Sequence, residues 1–284
     1  AISQVKMIEL KLSQGAKPGK GGILPAIKVT PEIAQIRGIP VHTDSISPNR
    51  HAEIGSVGDL IDCIGRIRAI AGKPVGFKSV IGAYGWLEAM CEEIHMRGLE
   101  SAPDFITVDS GDGGTGAAPM ALMDNVGLTI RESLPLVVDL LRRHGLRDRI
   151  KVFASGKLIS PAEVAWALCA GADSVNSARG FMFALGCIQS LKCNKNTCPT
   201  GITTHDRRLQ HGLNPAEKAV RVANYAAKLE KEVGVIAHSC GVSNPRALRR
   251  YHCRIVQADG RSIPMNELYP DIVKADRAIA RATA

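Results

Sequence analysis

Aromatic side chains are scarce in this chain: five Phe, four Tyr and two Trp, 4% of 284 residues. Proteins that bind single strands or RNA generally stack bases on aromatic platforms set among their basic residues. The formal charge of +9, from 36 basic and 27 acidic residues, is therefore not read as a nucleic-acid footprint. The basic residues are also spread along the whole chain, and the stripe Arg246, Arg249, Arg250 and Arg254 reads as a solvated helix face. No stretch approaches the roughly 20 consecutive apolar residues that a membrane-spanning helix requires, and the first residues show no basic-then-apolar leader pattern. No membrane partner is expected. Eight cysteines are too dilute for a disulfide scaffold. They are expected to be reduced thiols or ligands, which favours a cytoplasmic setting. Solenoid-period repeats and low-complexity tracts are absent as well.

What the chain does have is 45% apolar residues, enough to bury a sizeable core. Over the first two thirds they recur as a short β-branched or apolar run, a glycine-rich turn, then a longer segment with helical spacing. This rhythm predicts strands over 7–13, 41–46, 74–80, 105–109, 151–154 and 173–176, with helices over 56–71, 83–98, 130–144, 161–169 and 181–185. Ser160-Pro161 is a cap residue followed by Pro at a helix start. Apolar strands alternating with helices imply an α/β fold with a parallel sheet covered on both faces. Gly15, Gly82, Gly111, Gly156 and Gly180 follow the strands, at the end of an α/β sheet where anionic ligands bind. From residue 205 to 284 the texture turns to Lys, Arg, Ala and Glu with helical periodicity, notably over 215–234 and 244–251. This is a helical extension beyond a 1–204 portion, and 271–284 reads as a peripheral helix or frayed end.

Cys187, Cys193 and Cys198 form a C-x5-C-x4-C run followed by Pro199. Structural zinc normally takes four ligands with CxxC-type pairs, a spacing this run lacks, whereas iron-sulfur clusters are held by thiolates on irregular loops, sometimes with Pro after the last Cys. The run is read as a cluster loop, the alternative being three small buried thiols. Cys63, Cys91, Cys169, Cys240 and Cys253 lack such clustering and read as core thiols.

Residues 108–119, VDSGDGGTGAAP, place Asp112, Gly113 and Gly114 at a strand end where successive N–H groups can line an anion site. Residues 151–161 and 173–181 bring Ser155, Gly156, Lys157, Ala178 and Arg179 to two further strand ends, the arrangement of a barrel phosphate site. Lys157 and Arg179 either add charge there or serve solubility. Lys78, on an apolar strand, is costly to bury without an anion, so it meets either a carboxylate or a cofactor. Gln14 and Lys17 sit in a glycine-rich loop that allows close ligand approach or forms a plain turn.

Taken in order, these motifs resemble the FMN-binding, synthase domain of glutamate synthase. The resemblance rests on QGAKPG at 14–19 with Gly21-Gly22, SISPNRHAEIGSVGDL, Lys78, DGGTGA at 112–117, LRDR at 146–149 and the cysteine run, and it covers about 7–204. It implies a (β/α)8 barrel carrying FMN and a 3Fe-4S cluster that reductively aminates 2-oxoglutarate, or a related 2-oxo acid, with ammonia. It also implies that ferredoxin or an NAD(P)H-reductase subunit supplies the electrons. Lys78 resembles the flavin-contacting lysine, and Ser155, Gly156, Lys157, Ala178 and Arg179 resemble the phosphate loop. Cys187, Cys193 and Cys198 match the cluster cysteines, and Glu9, Gln14 and Lys17 resemble residues on the substrate and ammonia side.

Departures from the family pattern lie at Lys157, where it has glycine, at Ala178-Arg179, where it has glycine-threonine, and at Lys20, where it has an acid. They point to the glutaminase-less branch. The chain opens Ala1-Ile2-Ser3 with no amidotransferase-like segment, so ammonia is expected from elsewhere. The match begins at what reads as the fourth barrel strand, so strands one to three are expected from a longer polypeptide or a companion chain. An N-methylglutamate synthase-type enzyme and a non-catalytic electron-transfer or scaffold subunit are the alternatives.

Overall fold

The computed structural model describes residues 3–114 and 116–272. The expected tail over 271–284 therefore lies largely outside the described residues. In chain order the strands are β1 (Ile8–Lys11), β2 (Ile23–Leu24), β3 (Ser45–Ile46), β4 (Val75–Val80), β5 (Phe105–Asp109), β6 (Lys151–Ser155), β7 (Ser174–Asn176), β8 (Arg254–Val256) and β9 (Ser262–Pro264). The helices are α1 (Pro31–Arg37), α2 (Val57–Ala71), α3 (Gly85–Arg97), α4 (Ile130–Arg143), α5 (Pro161–Ala170), α6 (Ala178–Leu185), α7 (Arg207–Gln210), α8 (Pro215–Ser239) and α9 (Met265–Leu268).

Five strands form one parallel sheet in the order β1-β4-β5-β6-β7. Three of the helices that flank the sheet start on local chemistry, and two of them also stop on it. Ser56 with Asp59, Thr129 with Glu132 and Ser160 with Glu163 form capping boxes, and Gly72 and Gly171 end their helices in the left-handed region. The helices bury Leu60, Ile64, Leu87, Met90, Ile94, Leu134, Val137 and Leu141 against Phe77, Ile106, Val108 and Val152 of the sheet. The other face carries the alternate residues of the register: Lys11, Lys78, Thr107, Phe153 and Ser174 in one row, Val80, Asp109, Ser155 and Asn176 in the row at the carboxyl ends. This face is polar, and the outer edges of β1 and β7 have no strand partner among the described residues. The parallel α/β reading holds, as an open five-stranded sheet.

Three expectations are corrected. Residues 41–46 do not enter the parallel sheet; only Ser45–Ile46 is a strand, paired antiparallel with β2. Val41 and Ile46 are exposed, so the run has no apolar surface to bury against. The segment 244–251 is not a helix but two short 3-10 turns, Pro245–Ala247 and Arg250–His252. Its arginine stripe is solvated only in part: Arg246, Arg249 and Arg254 are exposed, but Arg250 is 2% exposed, with its guanidinium on Asp139 of α4 at 2.6 and 3.1 Å.

Beyond residue 205, α8 packs against α5 and α6. Tyr225 of α8 donates to the Ile159 carbonyl at 2.7 Å and lies 2.9 Å from Ser177 Oγ. Gly180 is required there, because a Cβ would fall 1.9 Å from the Tyr225 hydroxyl. The extension thus buttresses the two segments, 159–160 and 177–180, that flank the strand ends of β6 and β7.

Candidate active site and thiol cavity

At the carboxyl ends of the parallel strands the loops after β1, β4, β5 and β6 converge. Lys78 Nζ lies 3.2 Å from Asp109 Oδ2, which also accepts the Gly15 N–H at 2.8 Å. Asp109 supplies the carboxylate that was one of the two expectations for Lys78. Glu9, two residues deeper on β1, accepts a hydrogen bond from the fully buried Thr107 hydroxyl. Charged and polar groups therefore line the inner face in compensating pairs, as burial in a low-dielectric setting demands.

The glycine loop after β5 folds over the loop after β6. Ser110 Oγ accepts from the Ile130 N–H at 2.9 Å and hydrogen bonds to Asp112. Gly156 sits directly against Ser110: its φ is +137°, and a Cβ would lie 2.1 Å from Ser110 Cβ. Side chains of Lys157 and Arg179 flank Gly113, within 3.4 and 3.5 Å of where its Cβ would be. Lys157 Nζ is engaged by Asp112 at 3.1 Å and Asp124 at 3.8 Å. Among the described residues Arg179 donates to neutral acceptors, the Gly114 carbonyl at 2.8 Å and Gln189 Oε1 at 2.6 Å, and no carboxylate compensates its charge. Lys157 itself holds φ +48°, a conformation glycine adopts more cheaply. Glycines that a side chain would fill, beside an arginine without an acidic partner, fit the terminal phosphate of a nucleotide cofactor. Ala178 opens α6 at an exposed position.

Gln14 and Lys17 share a separate cleft of about 240 Å³ between the loop after β1 and residues 47–51. Lys11, Lys20, Arg50 and His51 line it too. Lys17 is buried, and burial, then the charges of Lys11 and Lys20, hold its ammonium below the ordinary lysine range. Cations crowded against a partly desolvated lysine make this cleft suited to a carboxylate.

Cys187, Cys193 and Cys198 all line one small cavity of about 60 Å³, together with Arg179, Gly114 and Thr200. Among the described residues no three His, Cys, Asp or Glu side chains close tightly enough to hold a single metal ion. Burial raises the Cys198 thiol, but hydrogen bonds from Thr200 and Thr203, side chain and backbone, outweigh it and bring it down to about 6. Cys198 is thus predisposed to thiolate.

Behind this loop stands Lys28, a residue the sequence reading passed over. It is buried, and its ammonium donates to the carbonyls of Cys193 at 2.7 Å and Thr203 at 2.6 Å. The signal for it was thin: a lone lysine in the apolar stretch ILPAIKV at 23–29. Asp109 and Asp124 were also missed, since their roles depend on loops that meet only in the fold.

Residues 1–243 match the sequence profile of the family described as the conserved region in glutamate synthase. Over 272 residues the chain is 42% identical to the glutamate synthase large subunit-like protein YerD of Bacillus subtilis (strain 168), covering 96% of this chain and 51% of that protein. It is 36% identical over 262 residues to the archaeal glutamate synthase (NADPH) of Methanocaldococcus jannaschii, covering 92% and 49%. The chain spans about half the length of the curated relatives it matches. Among solved structures, a mutant flavocytochrome b2 with benzoylformate aligns with 99% of this chain and 53% of its own at 15% identity and a TM-score of 0.48.

Proposed function

From the premise that this chain belongs to the glutamate synthase family, we propose that it supplies the larger part of an FMN-dependent synthase barrel. The reaction is the reductive amination of 2-oxoglutarate, or a related 2-oxo acid, with ammonia. The observation that carries this reading is the sharing of residues between two sites: Arg179 and Gly114 belong both to the glycine cradle after β5 and to the wall of the three-thiol cavity. A flavin site and an electron-relay site that share a wall permit rapid electron passage between them.

FMN, when bound, supplies the hydride chemistry, and a 3Fe-4S cluster supplies electrons one at a time. This chain's residues do the rest. Gly113, Gly156 and Arg179 would hold the flavin phosphate, with Ser155 at the strand end and Lys157 anchored beside it by Asp112. Lys78, fixed by Asp109, presents a cation at the rim of the sheet, where it would stabilise negative charge on a bound flavin. Lys17 and Arg50 would clamp the carboxylate of the 2-oxo acid in the cleft beside Gln14. Cys187, Cys193 and Cys198 would hold the cluster, with Lys28 fixing their loop. The open edges of β1 and β7 call for further strands, since a parallel sheet of this kind is closed or covered in its working state. The remaining half of the relatives' length, or a companion chain, would provide them. Ferredoxin or an NAD(P)H-dependent reductase subunit would feed the cluster.

The test uses the intact polypeptide that contains this chain, purified without oxygen. Expected are near-stoichiometric FMN, iron bound at the cluster, and reoxidation of the reduced flavin by 2-oxoglutarate only when ammonia is present. Iron without flavin, or flavin that no 2-oxo acid reoxidises, overturns the proposal.

A further inference from the structure

The opposite end of the sheet carries a second concave feature. There the turn at 145–148, the first residue of β6 and the turn at 171–173 face residues 246–249 of the extension across a cleft of about 410 Å³. Arg142, Arg147, Lys151, Arg246 and Arg249 line it, against two carboxylates, Asp148 and Asp173.

Several cations at this end of the molecule are matched by acids. Arg68 and Arg149 share Asp104 at 2.9 and 3.0 Å, and of the cleft's own cations Arg147 holds Asp173 at 2.7 Å and Arg142 reaches Asp271 at 3.1 Å. For the other three cleft cations the matching fails. Arg249 donates only to the carbonyls of Arg246 and Leu248, at 2.9 and 2.8 Å. Among the described residues, neither Arg246, Arg249 nor Lys151 has a carboxylate within ion-pair distance, and Asp173 is already taken by Arg147 and the Val152 N–H. Burial, then the neighbouring Arg250 charge, holds the Arg142 guanidinium below the ordinary arginine range, as expected where like charges crowd. Against these three cations the wall sets one remaining carboxylate, Asp148, so the concavity keeps an excess of positive charge that an anion would relieve.

We propose that this cleft binds a small phosphate-bearing ligand of nucleoside di- or triphosphate size. Guanidinium forks match phosphate oxygens bidentately, and small-molecule sites occupy about 300–1,000 Å³. Leu168, Leu248 and Ile272 add an apolar wall on which a base can rest. The concave shape suits a small molecule better than the surface of an acidic protein. The inference is independent of the proposed synthase activity, because the cleft lies at the amino ends of the strands.

The experiment is calorimetric titration of the intact polypeptide with ADP and ATP, in saturating FMN so that any flavin phosphate site is filled, with inorganic phosphate as the control. ADP or ATP is expected to bind with micromolar Kd. The Arg246→Ala, Lys151→Ala double variant is expected to weaken binding at least tenfold without lowering the melting temperature of the unliganded protein, because both side chains are exposed and neither has a carboxylate partner among the described residues. Absence of binding, equal binding to the double variant, or inorganic phosphate binding as tightly as ADP would overturn the proposal. So would an acidic protein that copurifies on this face, if ADP and ATP fail to bind once it is removed.

Discussion

Replacing Lys28 by Met removes the ammonium that holds the cysteine loop from behind. Lys28 is 9% exposed and makes two short bonds, to the Cys193 carbonyl at 2.7 Å and the Thr203 carbonyl at 2.6 Å. A hydrogen bond from a charged donor contributes about 1.5–3 kcal/mol. Met keeps the apolar stem but leaves both carbonyls without a donor, and they regain water when the loop opens. The lower end of the range therefore applies, about 3 kcal/mol for the pair. At about 1.4 kcal/mol per tenfold, the equilibrium for opening the loop rises by about a hundredfold. Hydrogen exchange followed by mass spectrometry reads this directly, because protected amides exchange in proportion to local opening. Peptides covering 186–204 are expected to exchange about a hundredfold faster in Lys28→Met, while peptides from β4 and β5 keep their protection. Bound iron is expected to fall in parallel. Exchange over 186–204 within threefold of the wild type would refute the reasoning, since Lys28 would then be a dispensable tether.

Three further outcomes are expected. Gly156→Ala forces a Cβ to within 2.1 Å of Ser110 Cβ at φ +137°, costing about 1–3 kcal/mol of backbone strain plus a similar overpacking cost; FMN retained after gel filtration should drop at least tenfold, and full retention would mean the cradle lies elsewhere. Asp139→Asn strands the Arg250 guanidinium, whose side chain is 1% exposed, and should lower unfolding free energy in urea by about 3–5 kcal/mol, with most of it recovered in Asp139→Asn, Arg250→Met; additive losses in the double variant would deny the pairing. A hydrogen bond from Cys169 brings the Cys253 thiol down to about 7, while burial first, and then the Glu88 charge, pushes Cys91 up to about 12. A depressed folded value means that Cys253 ionisation favours the native state above the ordinary thiol range, and this contribution fades as pH falls through about 7. Iodoacetamide should therefore modify Cys253 half-maximally near pH 7 and leave Cys91 intact until unfolding; a Cys253 midpoint near 9 would show that the thiols do not interact.

The strands of the parallel sheet were legible because each is a short apolar run bounded by a turn, and the helices because their caps lie within a few residues of their starts. Ser56 with Asp59 and Ser160 with Glu163 are three residues apart and speak for themselves. The run at 41–46 misled, because β-branched residues alone do not make a central strand when no apolar surface stands opposite them. The stripe ending at Arg254 misled at one position, for the complementary reason: Arg250 is buried because Asp139, 111 positions away in the chain, compensates it.

What the sequence by itself determined is the alternation of strand and helix, the glycine loops at the strand ends and the thiol spacing, all properties of neighbours along the chain. Only the tertiary structure decided that three thiols line one cavity, that Lys28 holds their loop, that Lys78 meets Asp109 and that five cations meet around one cleft. The reason is electrostatic. A charge is tolerated in a core, or left over at a surface, according to which distant groups the fold carries to within a few ångströms of it, and no local pattern records that distance.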